Sequence, residues 1–480
     1  MPENITLPNG VSLRRMNDYD SVRTNILTAV SGAFARKFPI ENDQYAIYLD
    51  GLKYPDQKYD VRDEKKALLS NGGLTVPLYG KIKLYDKINK EFIDEKDGVL
   101  ARVPWVTHRG TYINNGNEYA VVAGQQRLKP GIYSRRKDNG ELEAHVNVMA
   151  GTGAGIRMFM EPETGVYKLM AGKSRMSMYP ILKGLGVQDH EMEQWWGKDV
   201  LEKNRGTGKD TTSFGKFYQK IMGRAANLEA DDNTKAVEVL QALDKSKIDE
   251  GVTERNLGIK ATSLSPQVLL RTTNKLMNIH KGTEDEDDRD SIANKTFMGP
   301  EDLFEERIEK DAGGLARKLL SRSSYQRKLA GFNNGYFSSQ INGLVVGNSL
   351  SVMVDGINPI QTWDIGNKVV QTGEGAIEDS DAIPMSARSL HPSQAMVIDP
   401  IKTPESGSVG IDQRFAMNTL KGSDRQVYFQ LKNVKTGKME YMTAFDMQKK
   451  VVGFPKYTRN DEMYGHFKTA SILLNTRLHE

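Results

Sequence analysis

The sequence predicts an α+β protein divided into about three domains. Three observations carry this. The 480 residues exceed what one core usually serves, at roughly 150 residues per domain. In VPLYGKIKLY, Val76, Leu78, Ile82 and Leu84 fall on one parity and Tyr79, Lys81 and Lys83 on the other, the period-two pattern of a half-buried strand. Val22, Ile26, Val30 and Phe34 recur every fourth residue, as on one face of a helix.

Taken in order, the first element is a helix from Asp20 to Phe38, ended by Pro39. From about Tyr45 to Tyr133 the texture is strands and turns. Within it, Asn114-Asn115-Gly116-Asn117 separates two β-rich runs. Asn-Gly there predicts a hairpin, because both residues tolerate the positive φ of a tight turn. The middle third, Gly197 to Glu250 in particular, is more helical and charged, and the acidic run Glu284–Asp290 reads as a solvated loop. A long helix follows from about Glu301 to Ala330, with Leu303, Phe304, Ile308, Leu315 and Leu319 as its apolar stripe. Its C-terminal portion carries Arg317, Lys318, Arg322, Arg327 and Lys328, favourable at a helix end and also a basic edge. Beyond Gly331, up to about Gly410, the chain is rich in Gly, Asn, Ser and Pro and lacks periodicity; such long irregular stretches are usually functional or disordered.

Composition excludes several classes. With 66 Lys+Arg against 62 Asp+Glu the net charge is +4, and 38% of residues are hydrophobic, enough apolar surface to offset chain entropy. No cysteine is present, so disulfides, thiolate zinc sites and cysteine nucleophiles are excluded. No apolar run reaches the ~18 residues of a membrane helix, and the first residues lack a secretory signal's hydrophobic stretch. The expectation is a soluble, intracellular-type protein.

The familiar motifs fail. Gly151–Arg157 has Ile156 where GxGxxG needs glycine, and Gly208-Lys209 is followed by Asp210, not the Ser or Thr of a phosphate-binding loop. His190-Glu191 has Gln194 where HExxH requires histidine, and the seven histidines form no metal-spaced pair. No acid–base or nucleophile constellation appears.

Four collinear stretches are more informative. The first comprises Phe38–Ile40, Lys58–Val61 and Val76–Leu84. The second runs from Thr107 to Arg136, its pattern carried by Gly110, Thr111, Ile113, Asn115, Gly116, Glu118, Val121, Gln125, Arg127, Pro130 and Gly131. The third is DDRDSIANK at Asp287–Lys295. The fourth, from Asp355 to Ile411, holds INPI, TGEGA and RSLHPSQAMVIDPIKTPESGSVGI. In this order they resemble the β subunit of multisubunit RNA polymerases.

The resemblance implies a protrusion formed by residues 1–142 with 296–351, a lobe inserted as 143–295, and the beginning of the fork in 352–480. Cellular β subunits are more than twice as long, so the chain looks like an N-terminal portion, as in the split-subunit polymerases of giant (jumbo) tailed phages. The reaction implied is in-line nucleotidyl transfer assisted by two metals. The Mg²⁺ would be bound by the β′ chain, so catalytic and metal residues are expected to be none here. The residues implied near the active centre are Thr403, Pro404, Glu405 and His391. Lys368 and Arg388 would meet phosphates, and Arg127, Lys129 and Arg135 are further nucleic-acid-binding candidates. Asp355, Asn358, Pro359, Ile365, Lys368 and Val370 are the equivalents of the family's rifamycin pocket. Ile365 and Val370 there replace hydrogen-bonding groups, so drug resistance is expected. Lys402 and Ser406 depart from the family's Glu and Gly. Implied partners are a β C-terminal chain, β′ N- and C-terminal chains, a promoter-specificity subunit, DNA template and RNA, with no membrane. The implied location is the cytoplasm of a bacterial host, or the virion. A non-catalytic β-like virion or regulatory protein is the alternative.

Overall fold

The computed structural model describes residues 5–207, 212–227, 229–329, 331–433, 436–447 and 450. The Gly208–Asp210 motif, Ala330, His466 and His479 lie outside them. Helix and strand are mixed, at 37% and 27%, in agreement with the α+β expectation. Two compact units form: one from residues up to Arg127 and from Lys295 onward, the other from Leu128–Asn294.

The first unit is built on two helices. Tyr19–Lys37 is capped by Asp18, whose carboxylate accepts from the Ser21 N–H at 3.2 Å, and buries Val22, Ile26, Val30, Ala33 and Phe34. Its partner Pro300–Gln326 starts with proline at its first position and buries Leu303, Phe304, Ile308, Ala312, Ala316, Leu319 and Leu320, while Leu315 is only partly buried. The helices approach closely at Gly313, where a Cβ would lie 2.6 Å from Lys37 Cε. Phe337 joins them edge-on to Phe34, with centroids 5.2 Å apart.

Against this pair lies an antiparallel sheet of Ile40–Glu41, Tyr45–Lys53, Thr75–Asp86 and Glu91–Pro104. The expected alternation holds: Val76, Leu78, Ile82 and Leu84 are buried, and Tyr79 is exposed. The hairpin forms between Tyr112–Asn114 and Asn117–Val121, with Asn115 at φ 50° and Gly116 at φ 72°. One helix, Val61–Leu69, lies in the stretch read as strands and turns. Its signal was the short capping box in which Asp60 and Asp63 each receive the other's backbone N–H. A further sheet joins Ile5–Thr6 and Ser12–Arg15 to Leu420–Gly422, Val427–Lys432 and Met439–Met442. Lys368–Val370 runs parallel to Gly124–Gln125 and antiparallel to Asp412–Arg414.

The second unit is an antiparallel meander of Gly131–Arg136, Leu142–Asn147, Ile156–Met160, Tyr167–Ala171 and Ser174–Ser177. It shares a core with helices between Met178 and Lys281. The unit begins at Leu128, not 143. The reason is the pairing of Ile132 with Val146 and Ser134 with Ala144, which a boundary at 143 would cut. At its other end the unit stops at Asn294, and residues 296–351 share one unit with those from 352 onward. The strand Ser351–Met353 crosses that point and pairs with Tyr119–Val121.

The acidic run is not simply a solvated loop. Asp287 is buried and accepts from the Ser134 N–H at 2.7 Å and from Lys275. Glu284 accepts from Arg271 and Asn278, and Glu286 from the Arg136 N–H. Backbone, amide and basic donors turn part of the run inward.

Candidate functional site

The segment from Asp355 to Arg414 is irregular but tightly cross-bonded. Asn358 caps the helix Pro359–Ile365, its Oδ1 accepting from the Ile360 N–H at 3.0 Å. Asp355 makes the preceding turn, accepting from the Ile357 N–H at 3.1 Å. Asp355 is exposed. Ile365 and Val370 point inward, and Val370 belongs to the main core of its unit. Lys368 lies between these buried positions, its Nζ 2.7 Å from Asp412.

Asp412 also pairs with Arg414, which reaches Asp364 at 2.6 Å. Lys368, Asp412, Arg414 and Asp364 thus form an alternating chain of charge. The Arg414 hydrogen bond outweighs burial and holds the Asp364 carboxyl below its ordinary range. Asp364 and Arg414 were not singled out from sequence. Fifty positions separate them, so no local pattern links them.

Arg388 acts as a staple. Its guanidinium donates to three carbonyls: Ile383 at 3.0 Å, Ser380 at 2.7 Å and Gly407 at 2.7 Å. Gly410, at φ 71°, sits so close that a Cβ would lie 2.0 Å from the Arg388 carbonyl oxygen. His391 caps the turn Pro392–Gln394, its Nδ1 accepting from the Ser393 N–H at 3.2 Å. Thr403 donates to the Asp412 carbonyl at 3.0 Å and accepts from the Gly410 N–H at 2.9 Å. This anchors the turn and leaves Lys402 and Glu405 exposed beside half-buried Pro404.

The other candidate cations also have internal partners. Arg127 makes a two-pronged pair with Glu306 at 2.9 and 2.7 Å and donates to Gln125 and to the Glu374 carbonyl. Burial opposes ionisation of Glu306, but Arg127 and Lys310 hold its carboxyl below the ordinary range. In the second unit Lys129 is buried and donates to the Ala293 carbonyl at 3.0 Å. Arg135 pairs with Glu143 at 3.0 Å while staying partly exposed. A run of bases in sequence does not reveal which acids lie across from it.

No group of three or more His, Asp or Glu side chains among the described residues converges to hold a metal. No helix among the described residues is long and apolar enough to cross a membrane.

The helix Pro359–Ile365 and the strand before it carry a feature that sequence reading passed over. Val352, Met353, Ile357, Ile360 and Trp363 are all exposed, Ile357 to 86%. The signal is legible in retrospect: no Lys, Arg or His occurs between Gly331 and Asn367. A surface that is apolar and lacks cations suits a polypeptide better than a phosphate.

Comparison with known proteins places this segment. The family model for RNA polymerase Rpb2, domain 3, matches residues 352–419. The chain is similar to the DNA-directed RNA polymerase subunit beta of Gloeobacter violaceus, 22% identical over 422 residues, covering 83% of this chain and 37% of that protein. It is 24% identical to the corresponding subunit of a Synechocystis species over 396 residues, covering 75% and 34%, and 23% identical to that of Syntrophomonas wolfei over 433 residues, covering 85% and 38%. The chain thus spans little more than a third of the length of these curated relatives, and its homology to the β subunit is at low identity.

Proposed function

We propose that this chain is the N-terminal β-like subunit of a split multisubunit DNA-dependent RNA polymerase encoded by a giant tailed phage. It would form one wall of the DNA channel and the start of the fork, with catalytic Mg²⁺ held by the β′ chain. The carrying observation is that similarity to β subunits extends over most of the chain and includes the 352–419 segment. In this reading Leu128–Asn294 corresponds to the lobe and the rest to protrusion and fork. The chain's own residues position and do not react. Thr403 holds the Pro404-Glu405 turn beside the active centre, Arg388 keeps the loop around it closed, and Lys368 presents a charge paired with Asp412.

Partners in this reading are a β C-terminal chain, β′ N- and C-terminal chains and a promoter-specificity subunit, with DNA and RNA. The exposed apolar run from Val352 to Trp363 supports a polypeptide partner on that face. A tagged copy purified from infected cells should co-elute with chains resembling the rest of β and β′, with DNA-dependent RNA synthesis only when all are present. Elution with virion structural proteins alone, without synthesis, would instead mean a non-catalytic β-like component. Ile360→Asp combined with Trp363→Asp should weaken co-elution at least about tenfold, since buried interface anchors contribute ~2 kcal/mol or more each. The far-UV circular dichroism should stay unchanged, because both side chains are exposed.

Rifamycin offers a second check. With Ile365 and Val370 turned inward and Lys368 paired to Asp412, few hydrogen-bond partners face a ligand. Run-off transcription should continue in micromolar rifamycin; inhibition there would refute the resistance reading.

A further inference from the structure

We infer that the exposed face of the C-terminal half of the helix Pro300–Gln326 binds the phosphate backbone of a nucleic acid strand, with Tyr325 set against a base. The inference deepens the polymerase reading and rests on it for the kind of polyanion met there.

The helix is electrically divided. Its first half holds Glu301, Asp302, Glu305, Glu306, Glu309 and Asp311; from Ala312 to Val354 no acidic residue occurs. The acids of the first half are largely neutralised: Arg14 and Lys421 pair with Glu301, Arg425 with Asp302 and Glu305, and Arg127 with Glu306. The basic half has no such complement. Of Arg317, Lys318, Arg322, Arg327 and Lys328, only Arg327 has a carboxylate within 4 Å among the described residues, Asp86 at 3.6 Å.

Geometry puts these charges on one side. Ala316, Leu319, Leu320 and Ser323 are buried, whereas Arg317, Lys318, Arg322 and Tyr325 are exposed. Lys318, Arg322 and Tyr325 stand four and then three residues apart, so they line up along one stripe of the helix. From Arg317 to Gln326 the helix runs about 14 Å at 1.5 Å per residue, enough to lie beside several successive phosphates of one strand.

Two ordinary explanations fall short. A favourable helix dipole accounts for a cation or two in the last turn, but not for Arg317 and Lys318 further back. Nor does it account for Tyr325, which is 91% exposed and adds nothing to a purely solvated charged face. Cations with an interleaved exposed aromatic ring are the combination that tracks a phosphate chain and stacks on its bases. An acidic polypeptide would satisfy the cations and leave the ring unused.

The test is fluorescence anisotropy with the full chain and a short labelled DNA, single-stranded in one arm and duplex in the other, across a salt series. Arg317→Gln, Lys318→Gln and Arg322→Gln together should weaken binding at least tenfold at low salt. They should also flatten the log–log salt slope by roughly 0.7–0.9 for each phosphate no longer neutralised. Tyr325→Ala should reduce affinity for the single strand more than for the duplex. As a control of equal charge change, Arg62→Gln, Lys65→Gln and Lys66→Gln, all exposed on another helix, should leave both readouts near wild type. An unchanged slope in the first variant, or an equal loss in the control, overturns the inference. So does displacement of DNA by polyglutamate as effectively as by unlabelled DNA, which would assign the face to an acidic protein. The purified chain suffices for this measurement. Failure here therefore leaves the assembly test intact, and binding by a chain that never assembles with polymerase subunits would overturn the polymerase reading alone.

Discussion

Glu301→Ala is expected to destabilise the first unit by about 3–5 kcal/mol, the usual effect of removing one member of a buried ionic cluster. Arg14 grips the Glu301 carboxylate through Nη2 at 2.8 and 2.9 Å and Nε at 3.2 Å. Lys421 adds a contact at 3.0 Å and bonds Asp302 at 2.7 Å. Arg14, Lys421 and Glu301 are all buried, so alanine leaves Arg14 without its carboxylate away from water and Lys421 with Asp302 alone. Three separate pieces depend on this cluster: the strand Ser12–Arg15, the strand Leu420–Gly422 and the start of the long helix. Urea unfolding should show a lower midpoint, and a loss below about 1 kcal/mol, the range of exposed pairs, would contradict the account.

The pH dependence follows from the same site. Burial alone would raise the Glu301 carboxyl, but Arg14 and Lys421 prevail and lower it from 4.5 to about 2. A depressed folded-state value means the contribution is present above the ordinary value and lost as pH falls toward about 2. Wild-type stability should therefore decline across that window, and the Glu301→Ala variant should decline less.

Lys275→Met should have a comparable effect in the second unit, about 3–5 kcal/mol at neutral pH, but with the opposite response to acid. Lys275 is the cation beside Asp287 and also donates to the Asn256 carbonyl. Both side chains of the pair are almost fully buried, at 5% and 7% exposure. Burial raises the Asp287 carboxyl despite Lys275 and the Ser134 N–H. A raised folded-state value means the group favours folding at low pH, and that contribution is lost as pH rises through it. Without Lys275 the carboxylate keeps the Ser134 N–H but loses its paired cation, and protonation removes that penalty. The gap between variant and wild type should narrow as the solution is acidified. A gap that stays constant with pH would show that the loss comes from packing around Lys275 and not from the stranded charge.

The periodic elements were legible in advance. Val22, Ile26, Val30 and Phe34 announced a helix, and Val76, Leu78, Ile82 and Leu84 a strand. Each pattern is local, and its period follows from the backbone geometry of one element. The Asn115-Gly116 turn was readable for the same reason. The helix Val61–Leu69 was not, because nine residues with two buried positions, Glu64 and Ala67, carry too little periodicity to outweigh their strand-rich surroundings.

The candidate site was legible only as a set of residues. Thr403, His391 and Arg388 could be picked out by resemblance, but their hydrogen bonds show them holding loops together. Arg127 and Lys129 read as nucleic-acid-binding candidates, yet one meets Glu306 and the other the Ala293 carbonyl. Arg317, Lys318 and Arg322 are among the cations that remain exposed without a carboxylate partner among the described residues, and they were visible in the sequence as a helix end. Their freedom from carboxylates was not.

The sequence by itself determined the periodic elements, the Asn-Gly hairpin, the absence of cysteine chemistry and the collinear blocks that resemble a polymerase β subunit. All of these are properties of neighbouring residues or of their order. Only the tertiary structure decided which charges are engaged and which stay open to solvent, and that the inserted unit starts at Leu128. Ion pairing and strand pairing join residues hundreds of positions apart, such as Arg14 with Glu301 and Leu13 with Gly422. Their partners are chosen by how the core packs, and no window of sequence contains both.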